Sequence, residues 1–184
     1  MALAYSQGMP AGASAPDFSL VGVDGRTYSL ASFAEASVLV VVFTCNHCPY
    51  AIANEDRLID LATRYTDRGV AFVAINPNDA DAYPEDSFDA MRVRADEKGF
   101  PFPYLRDETQ EVARAYDAAC TPDIFVFGGD RRLVYNGRVD DNWQDASRVV
   151  RRDLATAIED ALAGRALTIT PVAAMGCSIK WKRR

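Results

Sequence analysis

The feature that most constrains this chain is Val38-Leu-Val-Val-Val-Phe43, six consecutive apolar residues running straight into Thr44-Cys45-Asn46-His47-Cys48-Pro49. A run of that length without a polar residue reads as a strand buried on both faces, the pattern of a sheet covered by helices on each side. After Pro49, residues Ile52, Leu58, Ile59, Ala62 and Tyr65 recur at helical spacing, and Gly69 suits the position just past a helix C-terminus. Val70-Ala-Phe-Val-Ala-Ile75 is a second buried strand. Strand, helix and strand then form a βαβ unit with parallel pairing and a right-handed crossover. Both cysteines fall where the first strand feeds the helix. Unpaired N–H groups and the positive end of the helix dipole favour a thiolate over a thiol at such a junction.

Around this unit the chain divides into three parts. Residues 1–15 are rich in small residues, lack periodicity and are expected to form a flexible arm; 16–166 form one domain; 167–184 are a tail carrying Cys177. Phe18 and Leu20 alternate with polar neighbours and face Thr27-Tyr28-Ser29-Leu30 across Asp24-Gly25, which predicts an N-terminal β-hairpin. The loop Asn76-Pro77-Asn78-Asp79 leaves the second strand at the sheet edge where ligands collect, on the same side as the cysteines. A helix is predicted from about Ser87 to Lys98. A second opens at Asp107 with Gln110 completing a capping box, and a third spans about Ser147 to Ala163, burying Val149, Val150, Leu154, Ile158 and Leu162. Between the last two, Ile124–Phe127 and Leu133–Tyr135 read as an antiparallel hairpin turning at Gly128-Gly129-Asp130. The whole is an α/β fold.

With 184 residues, 49% of them hydrophobic, the chain can bury one sizeable core. A formal net charge of −6 argues against nucleic acid as a partner. The basic group Lys180, Lys182, Arg183 and Arg184 reads as solvated charge at a chain end. Four cysteines are too few for a disulfide scaffold and fit a catalytic pair in a reducing compartment. Met1 to Pro10 shows no basic segment leading an apolar run, so no membrane partner and a cytoplasmic location are expected.

The Ala15-Pro-Asp-Phe18 stretch, the Cys45-x-x-Cys48 junction and Thr121-Pro122 before a strand together resemble a thioredoxin-fold protein of the redoxin group, which includes the alkyl hydroperoxide reductase and thiol-specific antioxidant proteins. Thr44 to Pro49, Ala74 to Asp79 and Gly176 to Trp181 are similar to its peroxiredoxin-like branch with a CxxC motif. The resemblance implies a thioredoxin-like fold, a central mixed sheet flanked by helices, and a cis peptide bond at Pro122. It also implies that the Thr121 backbone is open to an extended substrate strand.

On that resemblance Cys45 is the exposed nucleophile and Cys48 the resolving thiol, with His47, the single histidine, stabilising the thiolate from between them. Cys120 and Cys177 are possible extra redox thiols. The leading expectation is thiol–disulfide exchange with a protein or small-thiol disulfide, with a thioredoxin- or glutathione-type reductant and no cofactor. A thiol peroxidase is the second reading, although neither cysteine frames the Pro-x-x-x-Thr/Ser-x-x-Cys pattern: the positions carry Val41 and Cys45, or Val38 and Val42. Soft-metal binding of copper by the same dithiol is the third. No metal is assigned, since a zinc site asks for a second cysteine pair. The buried acid that thioredoxins carry six residues before the first cysteine is replaced by Leu39, leaving Glu55, Asp56, Asp79 and Asp123 as candidate proton acceptors.

Overall fold

The computed structural model describes residues 2–182. In chain order the elements are β1 (Leu3–Tyr5), β2 (Ser19–Gly22), β3 (Thr27–Ser29), β4 (Val38–Phe43), α1 (Pro49–Tyr65), β5 (Val70–Asn76), α2 (Phe88–Lys98), β6 (Tyr104–Arg106), α3 (Glu111–Ala115), β7 (Cys120–Thr121), β8 (Asp123–Phe127), β9 (Leu133–Gly137), α4 (Asp153–Leu162) and β10 (Met175–Ser178). Seven strands form one sheet in the order β3-β2-β6-β5-β4-β8-β9, and β1-β10-β7 form a second, smaller one.

β4 lies inside the large sheet, parallel to β5 and antiparallel to β8, which satisfies its backbone on both edges. Its side chains alternate between two cores. Leu39, Val41 and Phe43 pack with Tyr116, Phe125 and Phe127 on one face. Val38, Val40 and Val42 pack on the other with Leu58, Ala62 and Tyr65 of α1 and with Leu154 and Ile158 of α4. Phe43 meets Tyr116 and Phe125 edge-on, at 5.4 and 5.8 Å between ring centres. The architecture is thus a thioredoxin-like mixed sheet between helices. The N-terminal hairpin is present as β2 and β3, and Gly69 adopts the left-handed conformation (φ 78°) beyond α1.

Local pattern and structure part company in four places. Residues 2–15 are tied down rather than loose: β1 pairs antiparallel with β10, and Gly12 and Ala15 donate to the carbonyls of Leu133 and Arg131. The tail supplies β10, the strand that joins β1 to β7. Both strands find their partners far along the chain, so no local periodicity announces them. The predicted final helix breaks into a 3-10 turn at Ala146–Arg148 and α4, with Val150 83% exposed. Val150 N–H donates to Asp141 Oδ1 and the Arg151 carbonyl accepts from Asp141 N–H, which takes that backbone out of any helix. Finally, α3 starts at Glu111, not at Asp107. Gln110 has φ 64°, and its side chain bonds Pro77 O, Lys180 O and Lys182 N–H, while buried Asp107 accepts from Ala113 N–H. Long-range bonds to the tail have outcompeted the local capping box. Of the basic tail group, Lys182 pairs with Glu108, and Arg183 and Arg184 lie outside the described residues, as does Met1 of the N-terminal arm. No described helix is long and apolar enough to cross a membrane.

Candidate active site

The ladder of β4 ends as Thr44 N–H donates to Ile75 O, and the next four residues turn the chain into α1. Cys48 is the N-cap of that helix, followed by Pro49 at N1, where a missing N–H costs nothing. Thr121–Pro122 is cis, between β7 and β8, and brings Thr121 against both sulfurs. Cys45 Sγ lies 3.2 Å from Thr121 Oγ1, and the Cys48 thiol donates to Thr121 O at 3.0 Å. Cys45, Cys48, Ala51 and Cys177 form one buried cluster. No disulfide is present among the described residues.

Cys45 is 1% exposed and Cys48 fully buried, so the expectation of an exposed first cysteine is corrected. The strand β10 accounts for part of this closure. It pairs antiparallel with β7, Cys177 opposite Thr121 and Ser178 opposite Cys120. The edge of Thr121 expected to receive a substrate strand is already taken by the protein's own chain.

The two thiols divide their proton unequally. Hydrogen bonding to Cys48, burial and the Asp86 charge all push Cys45 well above the usual thiol range, against the pull of Thr121. Cys48 is held below it, first by the hydrogen bond from Cys45 and then by Cys177, Ala51 N–H and Thr121, against burial. The Thr121 carbonyl, which accepts the Cys48 proton at 3.0 Å, is the one opposing contact. Donors outnumber it, and the helix N-cap adds the field of the dipole. The structure therefore favours the charge on Cys48, whereas the sequence pattern had favoured Cys45.

His47 is committed elsewhere. Its Nδ1–H donates to Asp86 Oδ2 at 2.6 Å, and its ring stacks on Tyr83 at 5.0 Å. Asp86 raises the imidazole above its ordinary value against burial. Burial would raise Asp86, but His47, Asn78 and the Asn46 N–H outweigh it and hold the carboxyl low. The carboxylate accepts from Asn46 N–H (2.7 Å), Asn76 Nδ2 (3.2 Å) and Asn78 Nδ2 (2.8 Å), stitching the loop after β5 to the cysteine turn. The imidazolium charge is thus balanced by Asp86, and the expected thiolate stabiliser acts as half of an ion pair.

Asp86 was absent from the candidate acids because it lies in a 3-10 turn, Pro84–Asp86, that resembles a solvated loop in sequence. The usable signal was the position of Asn76–Asp79 at the ligand-collecting edge, since the same loop continues to Asp86. Of the four candidates, Glu55 pairs with Arg94, exposed Asp56 with Lys98, and Asp79 accepts from Asp81 N–H. Asp123 is buried, accepts from Ala119 N–H and Asn136 Nδ2, and is raised by that burial to about 6. Cys120 is buried with its thiol aimed at the carbonyls of Pro122 and Ala174, and burial and Asp123 push it above the usual thiol range.

Ligand atoms of Cys45, His47 and Asp86 lie within 4.8 Å of one another, close enough for a cation of intermediate softness. Here Nδ1 is engaged by Asp86, Cys45 Sγ lies against Thr121 Oγ1, and His47 Nε2 is buried without a hydrogen-bond partner.

A mixed sheet, a buried dithiol at a strand-to-helix turn and a cis-proline beside it define a thioredoxin-like dithiol protein. Residues 10–154 match the family model described as Redoxin, and the chain belongs to the redoxin family. An uncharacterized conserved protein from Geobacillus kaustophilus is 44% identical, with a TM-score of 0.95 over 100% of this chain and 98% of that one. A hypothetical protein from Sinorhizobium meliloti is 39% identical, with a TM-score of 0.93 over 98% and 99%. A putative thiol:disulfide interchange protein from Chlorobium tepidum shares the fold at 20% identity, with a TM-score of 0.66 over 84% and 99%. The search of curated proteins returns no match.

Proposed function

We propose that this redoxin is a thiol–disulfide oxidoreductase of the peroxiredoxin-like, CxxC-bearing kind, and that Cys48 rather than Cys45 is its attacking sulfur. The observation that carries the reading is Cys48 Sγ at the N-cap of α1, packed in one buried cluster with Cys45 and Cys177 and lying against Thr121. The Cys48 thiolate attacks one sulfur of a protein or small-thiol disulfide. A mixed disulfide forms and the other half leaves as a thiolate. Cys45 then gives up its proton and attacks the Cys48 sulfur; the Cys45–Cys48 bond forms and the second substrate thiol departs. The proton given up by Cys45 goes to the departing substrate thiolate, while His47, already an imidazolium paired with Asp86, fixes the turn between the cysteines. A thioredoxin- or glutathione-type reductant, in a reducing compartment such as the cytoplasm, closes the cycle.

Peroxidase chemistry finds less support. The groups around the sulfurs are thiols, Thr121 and a backbone N–H, with no guanidinium among the described contacts to polarise a peroxide.

The test is turnover of insulin and of oxidised glutathione side by side, with dithiothreitol as reductant. Wild type is expected to reduce at least one. Cys48→Ser abolishes turnover, and Cys45→Ser combined with Cys177→Ser stalls as a mixed disulfide on Cys48. Wild-type protein inert toward both would sink the reading.

A further inference from the structure

Cys177 lies well over a hundred residues from the dithiol in sequence, yet it packs in the same buried cluster. Three observations place it there. β10 pairs with β7 so that Cys177 faces Thr121, whose carbonyl oxygen stands 3.0 Å from the Cys48 sulfur. Adjacent antiparallel residues stand about 4.5–5.5 Å apart at Cα, so Cys177 is one strand spacing from the residue touching both sulfurs. The Cys177 thiol is also within hydrogen-bonding reach of Cys48 itself. Contact this close requires Gly176. A Cβ there would stand 2.1 Å from Thr121 O and 2.7 Å from the Thr121 carbonyl carbon, so the glycine lets β10 lie flat on the cis-proline edge.

We propose that β10 occupies the site's substrate-strand edge as a built-in surrogate substrate, and that Cys177 is the third thiol of the exchange centre, accepting the disulfide from Cys45–Cys48. This rests on the thiol-exchange reading above and adds a regulated state to it. In the oxidised protein the Cys177 sulfur attacks Cys48 Sγ. The Cys48–Cys177 bond forms, the Cys45–Cys48 bond breaks, and the proton released by Cys177 ends on Cys45. No electrons are gained or lost; the two removed from the dithiol have already gone to the substrate disulfide, leaving as two thiols. In the reduced protein, burial and the neighbouring Cys48 thiolate hold the Cys177 proton in place, with Lys180 pulling the other way. Once Cys48 is in a disulfide its charge is gone and that restraint lifts. The result is a state with β10 locked across the site by a covalent bond and Cys45 reduced.

The experiment uses diamide, an azodicarboxamide oxidant that needs no turnover by the protein, followed by acid quench and mass-spectrometric disulfide mapping. Wild type is expected to show Cys48–Cys177 beside Cys45–Cys48, and Cys45→Ser to convert mostly to Cys48–Cys177. Gly176→Ala, which pushes β10 off Thr121, is expected to lose the Cys48–Cys177 species at least several-fold while keeping Cys45–Cys48. Wild type and Cys45→Ser that both lack a Cys48–Cys177 bond overturn the proposal. The same preparations are assayed on insulin and oxidised glutathione. Turnover without the bond defeats the third-thiol inference alone, whereas the bond without turnover upholds it and defeats the exchange reading.

Discussion

His47 Nδ1 stands 2.6 Å from Asp86 Oδ2, joining the turn between the cysteines to a carboxylate that four hydrogen-bond donors hold inside the protein. This one contact turns the residue between the cysteines from a free cation into half of a buried pair. It also puts a buried carboxylate beside the cysteine turn, where β4 offers only Leu39.

Because His47 is the only histidine, its titration can be followed as a single imidazole signal by NMR. In wild type the midpoint is expected above 6.5; in Asp86→Asn the raising partner is gone and burial alone brings it to 6.5 or lower. The folded value is raised, so the pair's stabilisation is complete below pH 6.5 and fades as pH rises through the folded midpoint. The stability gap between wild type and variant therefore narrows on going alkaline. An unchanged midpoint in the variant contradicts the assignment.

The site of the resting charge can be read from thiolate absorbance in the ultraviolet. Wild type is expected to show thiolate well below the ordinary thiol pKa of about 8.5. Cys45→Ser keeps the low-pH Cys48 thiolate, its hydroxyl donating in place of the thiol. Cys48→Ser loses the low-pH signal, since burial and Asp86 both act against a charge on Cys45. Retention of that signal in Cys48→Ser would return the charge to Cys45.

Asp123 offers a test of burial. Its carboxyl is raised from 3.8 to about 6, so between those values the folded chain holds more proton than the unfolded one and stability falls as pH rises. At about 1.36 kcal/mol per unit this amounts to roughly 2–3 kcal/mol. Asp123→Asn removes the slope. Urea unfolding across that window should show the wild-type minus variant difference shifting by roughly 2–3 kcal/mol, and parallel curves would refute it.

Gly176→Ala is expected to destabilise the protein by about 1–3 kcal/mol, the usual cost of overpacking. It should also speed alkylation of the cysteine cluster, because β10 can no longer rest on Thr121. A stability loss with no change in alkylation rate means that β10 does not shield the thiols.

Phe43→Ala probes the strand that delivers the dithiol. The ring is fully buried between Tyr116 and Phe125, and its removal is expected to cost about 3–5 kcal/mol in chemical denaturation. A loss under 1 kcal/mol, on the order of an exposed substitution, would place it outside the core.

The sequence by itself determined the parts whose causes are local. Six apolar residues from Val38 to Phe43 can satisfy neither face in water, so β4 had to be a central strand; the spacing after Pro49 made α1, and the junction put Cys45 and Cys48 at a helix start. Gly69 and the Asp24-Gly25 turn are equally local. What only the tertiary structure decided concerns residues distant along the chain. Asp86 becomes the partner of His47 because the loop after β5 folds back over the cysteine turn. Charge is favoured on Cys48 because Cys45 and, from far along the chain, Cys177 converge on its sulfur. Thr121 is covered, and Cys177 joins the dithiol, because β10 pairs with a two-residue strand more than fifty positions earlier. Strand pairing between such segments leaves no periodic trace in either of them, since its stabilisation comes from backbone bonds that any residue except proline can make.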